Sequence, residues 1–169
     1  MRRLYFLLGF ALVAGALVAP PALAEDPPTN PFPGKTADAF LYVDTVNGTR
    51  PKGAPLRLLG CTQTNYFKRG EQVVFRIWGT EAKTGETLST ASVKYAYVKL
   101  PGLPNAKLNW GPHGTASNRV WFWTAAWDVS ADYPLGTVAF RVVFKTESNK
   151  FGIFQQSGLP TASQLTITP

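Results

Sequence analysis

Short apolar segments separated by turns dominate this chain of 169 residues and constrain its fold more than any other feature. From residue 68 onward the turns contain Gly and Pro, and they recur at intervals of about ten residues. Apolar and polar residues alternate between the turns, which is the period of a half-buried strand. No segment of useful length has the apolar spacing of an amphipathic helix. The pattern therefore predicts an all-β antiparallel sandwich of seven to eight strands.

The predicted strands differ in how clearly one of their faces is apolar. In residues 92–100, alternation places Val93 on the same face as Tyr95 and Tyr97. The clearest strand is residues 137–145, where four apolar residues share one face: Val138, Phe140, Val142 and Phe144. The remaining predicted strands cover residues 39–46, 71–78, 119–129, 151–155 and 164–168, with a weaker segment at 55–62.

The N-terminal region is predicted to direct export. Residues 1–24 have a basic start, an apolar stretch and an Ala-Leu-Ala cleavage site, as in a secretory signal peptide. An uncleaved membrane anchor is the alternative, but the apolar stretch is short for a span and two prolines interrupt it. Residues 25–38 then form a proline-rich tether, and residues 39–168 form the sandwich domain. We expect an exported protein, periplasmic or extracellular, with a peripheral position at the membrane as a further option.

The residue counts exclude several classes of site. The chain holds one His, one Cys and one Met. A blue-copper site needs two His and one Cys, a structural zinc site needs four Cys or His ligands, and c-type haem attachment needs Cys-x-x-Cys-His. We therefore expect no cofactor and no metal. The chain also lacks a Gly-x-Ser-x-Gly motif, and Asp128 and Asp132 flank a turn that they are predicted to cap, so we expect no enzymatic activity.

Cys61 has no partner within the chain. An oxidising compartment would turn paired cysteines into disulfides. A single cysteine in such a protein is predicted to be a small buried apolar residue, since free cysteine is among the most buried residue types. The alternative is a reactive or intermolecular thiol.

The aromatic residues of residues 119–129 point to a partner surface. Trp121, Trp123 and Trp127 share one face of this predicted strand, and Val120 and Phe122 share the other. We expect Trp123 and Trp127 in the core. Because the opposite face is also apolar, it must cover something beyond an ordinary core.

Two further aromatic residues lie just before this strand. Together with the tryptophans of residues 119–129, Trp110 could form an aromatic platform that binds sugar rings or another protein. His113 follows in a segment rich in turn residues, and is predicted to be a solvent-facing loop residue. The alternative for His113 is a docking residue, protonated by an acidic partner.

Positive charge is the second indication of a partner. The chain has 17 Lys and Arg against 10 Asp and Glu, a net charge of +7. Arg76, Arg141 and Lys145 are predicted to lie opposite the apolar faces of their strands. A solvated surface is the ordinary explanation. The functional alternative is attraction to an acidic protein, anionic lipid or acidic polysaccharide, whereas the absence of a recognition motif argues against nucleic acid.

Four segments resemble bacterial extracytoplasmic immunoglobulin-like domains: FKRGEQVVFRI, TGETLSTASVKYAYVKLPG, DYPLGTVAFRVVF and the terminal SQLTITP. The resemblance covers about residues 67–168. In those domains a Tyr-Pro-x-Gly-Thr corner leads into the penultimate strand and a Thr-Gly turn joins earlier strands. The Cys and Trp pairing of antibody domains is absent, so only the sandwich architecture carries over. The resemblance implies a binding, spacer or accessory role and supplies no catalytic residues.

These observations predict a non-enzymatic, exported accessory protein. It would dock through an aromatic surface and a basic face onto a protein complex in the periplasm or at the membrane. The alternative is a carbohydrate or small-ligand binding module that uses exposed tryptophans. The candidate binding residues are Trp110, His113, Trp121, Trp123, Trp127, Arg76, Arg141 and Lys145.

Overall fold

The computed structural model describes residues 38–48, 61–156 and 164–169. All regular structure in these ranges is β, in eleven strands, so they contain no helix that could cross a membrane. The predicted signal peptide, the tether up to residue 37 and residues 55–60 of the weak segment lie outside the described residues.

The first large sheet, called sheet I, has four strands that all pair antiparallel in the order β1-β3-β7-β6. Its strands are β1 (Ala39–Asn47), β3 (Gln72–Glu81), β7 (Val120–Asp128) and β6 (Asn109–His113). Three of these strands, β1, β3 and β7, were predicted from the sequence. The edge strand β6 was not, because Gly111 and Pro112 indicate a turn when they are read locally. An edge strand tolerates Pro112, since its missing N–H need not bond a neighbour.

The second large sheet, sheet II, has the order β10-β9-β4-β5 and is also antiparallel. Its strands are β10 (Phe151–Gln155), β9 (Arg141–Thr146), β4 (Val93–Lys99) and β5 (Ala106–Lys107). The register shifts between Val93 and Tyr95, as in a β-bulge. The shift buries Val93 together with Ala96 while Tyr95 stays exposed, so the predicted shared face of Val93 and Tyr95 is wrong.

A small third sheet contains the last strand of the chain and has the order β2-β11-β8. Its strands are β2 (Tyr66–Lys68), β11 (Thr166–Thr168) and β8 (Gly136–Thr137), and β2 pairs parallel with β11. The predicted strand 137–145 is therefore divided, with its start in the small sheet and its end in sheet II. Its apolar face is confirmed nonetheless, because all four predicted core residues are buried: Val138, Phe140, Val142 and Phe144.

The core lies between the inner faces of sheets I and II. Phe75 of β3 contacts Phe140 edge to face at 4.9 Å between ring centroids, and Trp123 of β7 contacts Phe144 of β9 at 5.3 Å. Each fully buried aromatic side chain stabilises the fold by about 2–3 kcal/mol. The packing of two antiparallel sheets face to face is that of a β-sandwich. Their outer faces consequently point in opposite directions.

The Tyr-Pro-x-Gly-Thr segment forms a packed corner. The Tyr133 ring contacts buried Trp127 edge to face at 4.8 Å, and the Tyr133 carbonyl accepts a 2.7 Å hydrogen bond from Nε of Arg69. Gly136 has a φ of 105°, which L side chains rarely adopt. The corner therefore needs its glycine to turn the chain into β8.

Candidate functional site

A row of four aromatic rings crosses the outer face of sheet I, one ring from each strand. We call it the aromatic row: Tyr42, Trp78, Phe122 and His113. Ring centroids are 5.6 Å apart from the first to the second, 4.8 Å to the third and 4.1 Å to the fourth. Strand pairing creates the row, because it places Tyr42 directly opposite Trp78 and His113 diagonally beside Phe122.

The aromatic row is partly open to solvent. Tyr42 is 59% exposed, and its outward neighbour Phe40 on β1 is 72% exposed. Phe122 is nearly buried by its own outer-face neighbours, while Val120 beside it on β7 is 52% exposed. The predicted surplus of apolar residues on this face of β7 thus lies outside the core. Tyr42 was not a predicted site residue, because nothing local to β1 shows that it pairs with β3.

His113 is not a loop residue, so that prediction is wrong. It ends β6, pairs with Val120 of β7 and stacks on the Phe122 ring with an interplanar angle of 16°. Burial, and secondly the positive charge of Arg76, lower the pKa of His113 below its usual 6.5. The imidazole at this end of the aromatic row is therefore neutral at neutral pH.

Arg76 is committed to an ion pair within sheet I. Its Nε donates to Asp44 Oδ1 at 2.8 Å and its Nη2 to Asp44 Oδ2 at 2.5 Å. The hydrogen bond to Asp44 raises the pKa of Arg76, and only 6% of the Asp44 side chain is exposed. The guanidinium also lies 5.8 Å from the Trp78 ring centroid. Arg76 thus orders the row and adds little net charge to this face.

Beside the aromatic row lies an open groove of about 600 Å³. Its lining includes Val74, Asn109, Thr124 and Cys61. Cys61 is exposed, so its predicted burial is wrong. It adopts a left-handed φ of 63° and donates its backbone N–H to the Asn47 carbonyl at 2.9 Å, which keeps it at the surface of a turn.

The predicted tryptophan residues separate into a core group and an edge group. Trp123 and Trp127 are buried as predicted, and Trp123 Nε1 donates to the Leu88 carbonyl at 2.7 Å. Trp110 is half-buried and its ring lies 5.5 Å from that of Trp123 and 5.9 Å from that of Trp121. Trp121 is 50% exposed at the start of β7. Trp110 and Trp121 therefore form an edge site apart from the aromatic row.

Arg141 and Lys145 lie on the outer face of sheet II, opposite to Arg76. Lys145 Nζ is 5.8 Å from the Tyr95 ring centroid and 5.4 Å from that of Phe151. Three further lysines on these strands are exposed and were not predicted as site residues: Lys94, Lys99 and Lys107. We call these five cations the basic face. Only the pairing of β4, β5 and β9 brings them together, so no local signal in the sequence reveals the face.

The eight predicted binding residues consequently do not form one surface. Two lie in the core, two form the tryptophan edge, two belong to the outer face of sheet I and two to the outer face of sheet II. A single flat partner cannot contact the aromatic row and the basic face together, because the two faces point in opposite directions.

Comparison with known proteins identifies no relative: the chain matches no protein-family model, no curated protein and no solved structure. Within residues 38–48, 61–156 and 164–169, no three His, Cys, Asp or Glu side chains are grouped so that they could hold a metal ion. In the turn after β7, hydrogen bonding to the Ser130 side chain lowers the pKa of Asp132. That bond agrees with the turn-capping role predicted for Asp132.

Proposed function

We propose that this protein is a non-enzymatic, exported accessory protein that docks onto a protein complex in the periplasm or at the membrane. The partly exposed aromatic row of sheet I, with Phe40 and Val120 beside it, is the observation that carries the proposal. We also propose that the sandwich is immunoglobulin-like, which the packed corner at Tyr133 and Gly136 supports. In this proposal residues 1–24 direct export and residues 25–38 act as the tether.

The chemistry of the aromatic row suits the centre of a protein interface. Such centres are rich in Tyr, Trp and Phe and poor in net charge. Here the one cation beside the row, Arg76, is neutralised by Asp44, and His113 is neutral. An apolar partner surface could therefore cover these large rings without burying an unpaired charge. Phe40 and Val120, the next outward residues on β1 and β7, extend the apolar area beyond the row.

Recovery of the protein from native membranes tests the proposal. We expect a stoichiometric second subunit with the wild-type chain, and its loss from a Phe40→Ala/Tyr42→Ala variant. The matched control is Tyr66→Ala/Leu135→Ala, which removes two similarly exposed apolar side chains away from sheet I. A lone monomer under gentle conditions, or equal recovery of the subunit by both variants, would overturn partner docking at this face.

A carbohydrate or small-ligand binding module is the second candidate function. The Trp110 and Trp121 pair supports it, since Trp121 is half exposed and the two ring planes are inclined by only 32°. Sugar rings pack on such exposed indoles. Titration of tryptophan fluorescence with a panel of glycans tests it: a saturating change that Trp121→Ala removes supports this function, and flat curves across the panel exclude it.

A further inference from the structure

The outer face of sheet II is strongly cationic, and the proposed docking of a protein on sheet I leaves that charge without a role. The four strands of this sheet contain five Lys and Arg and no Asp or Glu. The strands of sheet I contain one Arg against three acidic residues. We propose that the basic face of sheet II binds an anionic phospholipid surface.

Elsewhere in the described part of the chain, the partly buried cations form ion pairs. Arg76 binds Asp44, and Lys150 binds Glu81 with 3.0 Å between Nζ and Oε1. On the basic face, Lys94, Lys99 and Lys107 are exposed and form no ion pair with a described residue. Their charge is therefore open to an external anion.

Two cations of the basic face lie directly opposite each other. Lys99 and Arg141 are direct partners across β4 and β9. Both side chains border an open depression of about 380 Å³ whose other wall is the segment Pro101 to Leu103. A phosphate group bound there would lie close to two cations of the basic face.

The layout of the basic face fits a surface better than a linear polyanion. Its cations lie on three adjacent strands, which are about 4.8 Å apart, and at both ends of β4, which are about 17–20 Å apart. This is a two-dimensional array, as the headgroups of a bilayer are. Tyr95 and Tyr97 stack at 6.0 Å between the lysines. Tyr and Lys suit a membrane interface, because the ring or alkyl stem packs among headgroups while the polar end stays hydrated.

Binding in this orientation would leave the other face of the sandwich accessible. Because the outer faces of sheets I and II point away from each other, the aromatic row would face away from the lipid. The two surfaces could then act together, with the membrane on sheet II and a protein partner on sheet I. The inference goes beyond the proposed function, since it concerns a different sheet and a different chemical class of partner.

Co-sedimentation with lipid vesicles tests the inference. The full chain is mixed with vesicles of phosphatidylglycerol and phosphatidylcholine, or of phosphatidylcholine alone. Three exposed lysines of the face are replaced in Lys94→Gln/Lys99→Gln/Lys107→Gln. The matched control, Lys68→Gln/Lys83→Gln/Arg119→Gln, removes three exposed cations that lie outside sheet II. Residues 1–24 are the same in all three proteins, so the comparison of variants isolates the face.

We expect the wild-type chain to prefer the anionic vesicles and to lose that preference at 1 M salt, where the Debye length is about 3 Å. Each cation near an anionic surface contributes roughly fivefold to partitioning, so the face variant should bind about a hundredfold more weakly. The control variant should lose far less.

Several results would overturn the inference. One is equal binding to both vesicle types, and another is an equal loss in the face and control variants. Binding to soluble polygalacturonate without binding to anionic vesicles would assign the face to an acidic polysaccharide instead. By contrast, if the face variant lost vesicle binding but still recovered the second subunit, the inference would hold and the two surfaces would act independently. Failure of vesicle binding alone would leave partner docking through sheet I standing.

Discussion

The outer faces of the two large sheets differ in how their side chains meet the solvent. On sheet I, outward rings pack on one another, and the ion pair of buried Asp44 and partly buried Arg76 lies beside Trp78. On sheet II, five of the outward side chains are cations, and Tyr95 and Tyr97 lie between them. One face is thus a second layer of packing and the other is a charged surface. The difference teaches that burial alone does not identify the core of this protein, because Phe122 is buried on an outer face.

The largest expected effect concerns the packed face. Phe122→Ala should lower the free energy of unfolding by about 3 kcal/mol, because it removes the ring between Trp78 and His113. Tyr95→Ala on sheet II should cost less than about 1 kcal/mol, since Tyr95 is 42% exposed. Urea denaturation of both variants measures the difference. Equal losses would erase the contrast between the two faces.

A second prediction concerns the ion pair within the packed face. Asp44→Ala leaves the partly buried Arg76 guanidinium without its carboxylate, and should lower the free energy of unfolding by about 2 kcal/mol. Asp128→Ala is the matched control, because the Asp128 bond to Gln72 is exposed and should contribute less than about 1 kcal/mol. Denaturation curves at neutral pH compare them. If Asp44→Ala were as mild as its control, the pair would not organise this face.

A third prediction concerns the link between the sheets, where Lys150 before β10 binds Glu81 at the end of β3. The hydrogen bond from Lys150, and secondly that from the Thr84 N–H, lower the pKa of Glu81 from 4.5 to about 2. Because the folded pKa is the lower one, this stabilisation is complete above pH 4.5 and is lost as the pH falls through about 2.

Titration of Glu81 by NMR measures this link directly. Lys150→Gln should raise the pKa of Glu81 towards 4.5, since it removes the first cause of the shift. Lys83→Gln makes the same change of charge but keeps the backbone N–H that bonds Glu81, and should alter that pKa little. An unchanged pKa in Lys150→Gln would show that the two sheets are not joined by this pair.

The smallest expected effect concerns His113. Its folded pKa lies below 6.5, so the unfolded chain takes up the proton first as the pH falls. Stability should therefore decrease on acidification below pH 6.5, and His113→Gln should remove that decrease. NMR titration of His113 should also show its pKa rising towards 6.5 in Phe122→Ala, because the ring is less buried there. A midpoint at or above 6.5 in the wild-type chain would contradict the packing of His113 in the row.

Much of the fold could be predicted from alternation. Val138, Phe140, Val142 and Phe144 are all buried as their spacing indicates, and β10 has the predicted bounds. The division of residues 137–145 between two sheets could not be predicted, since an extended chain keeps the same alternation whichever neighbour it pairs with.

The sequence predicted that an apolar surface lies outside the core, but it did not predict which residues lie together on that surface. The apolar residues on both faces of β7 signalled a surface outside the core, and the aromatic row contains one of them. The prediction for His113 was wrong because Gly111 and Pro112 indicate a turn in the sequence, whereas pairing with β7 makes this segment a strand. The prediction for Cys61 was wrong because the turn that exposes this residue depends on a bond to Asn47.

By itself, the sequence determined that the described chain is built of strands, which residues of each strand are apolar, and which ligand sets the chain lacks. These follow from local period and from residue counts, which no tertiary contact can alter. Only the tertiary structure decided which strands are neighbours. That choice placed Tyr42 beside Trp78 and gathered five cations on sheet II, because a strand acquires its lateral partners only when residues distant in sequence pair.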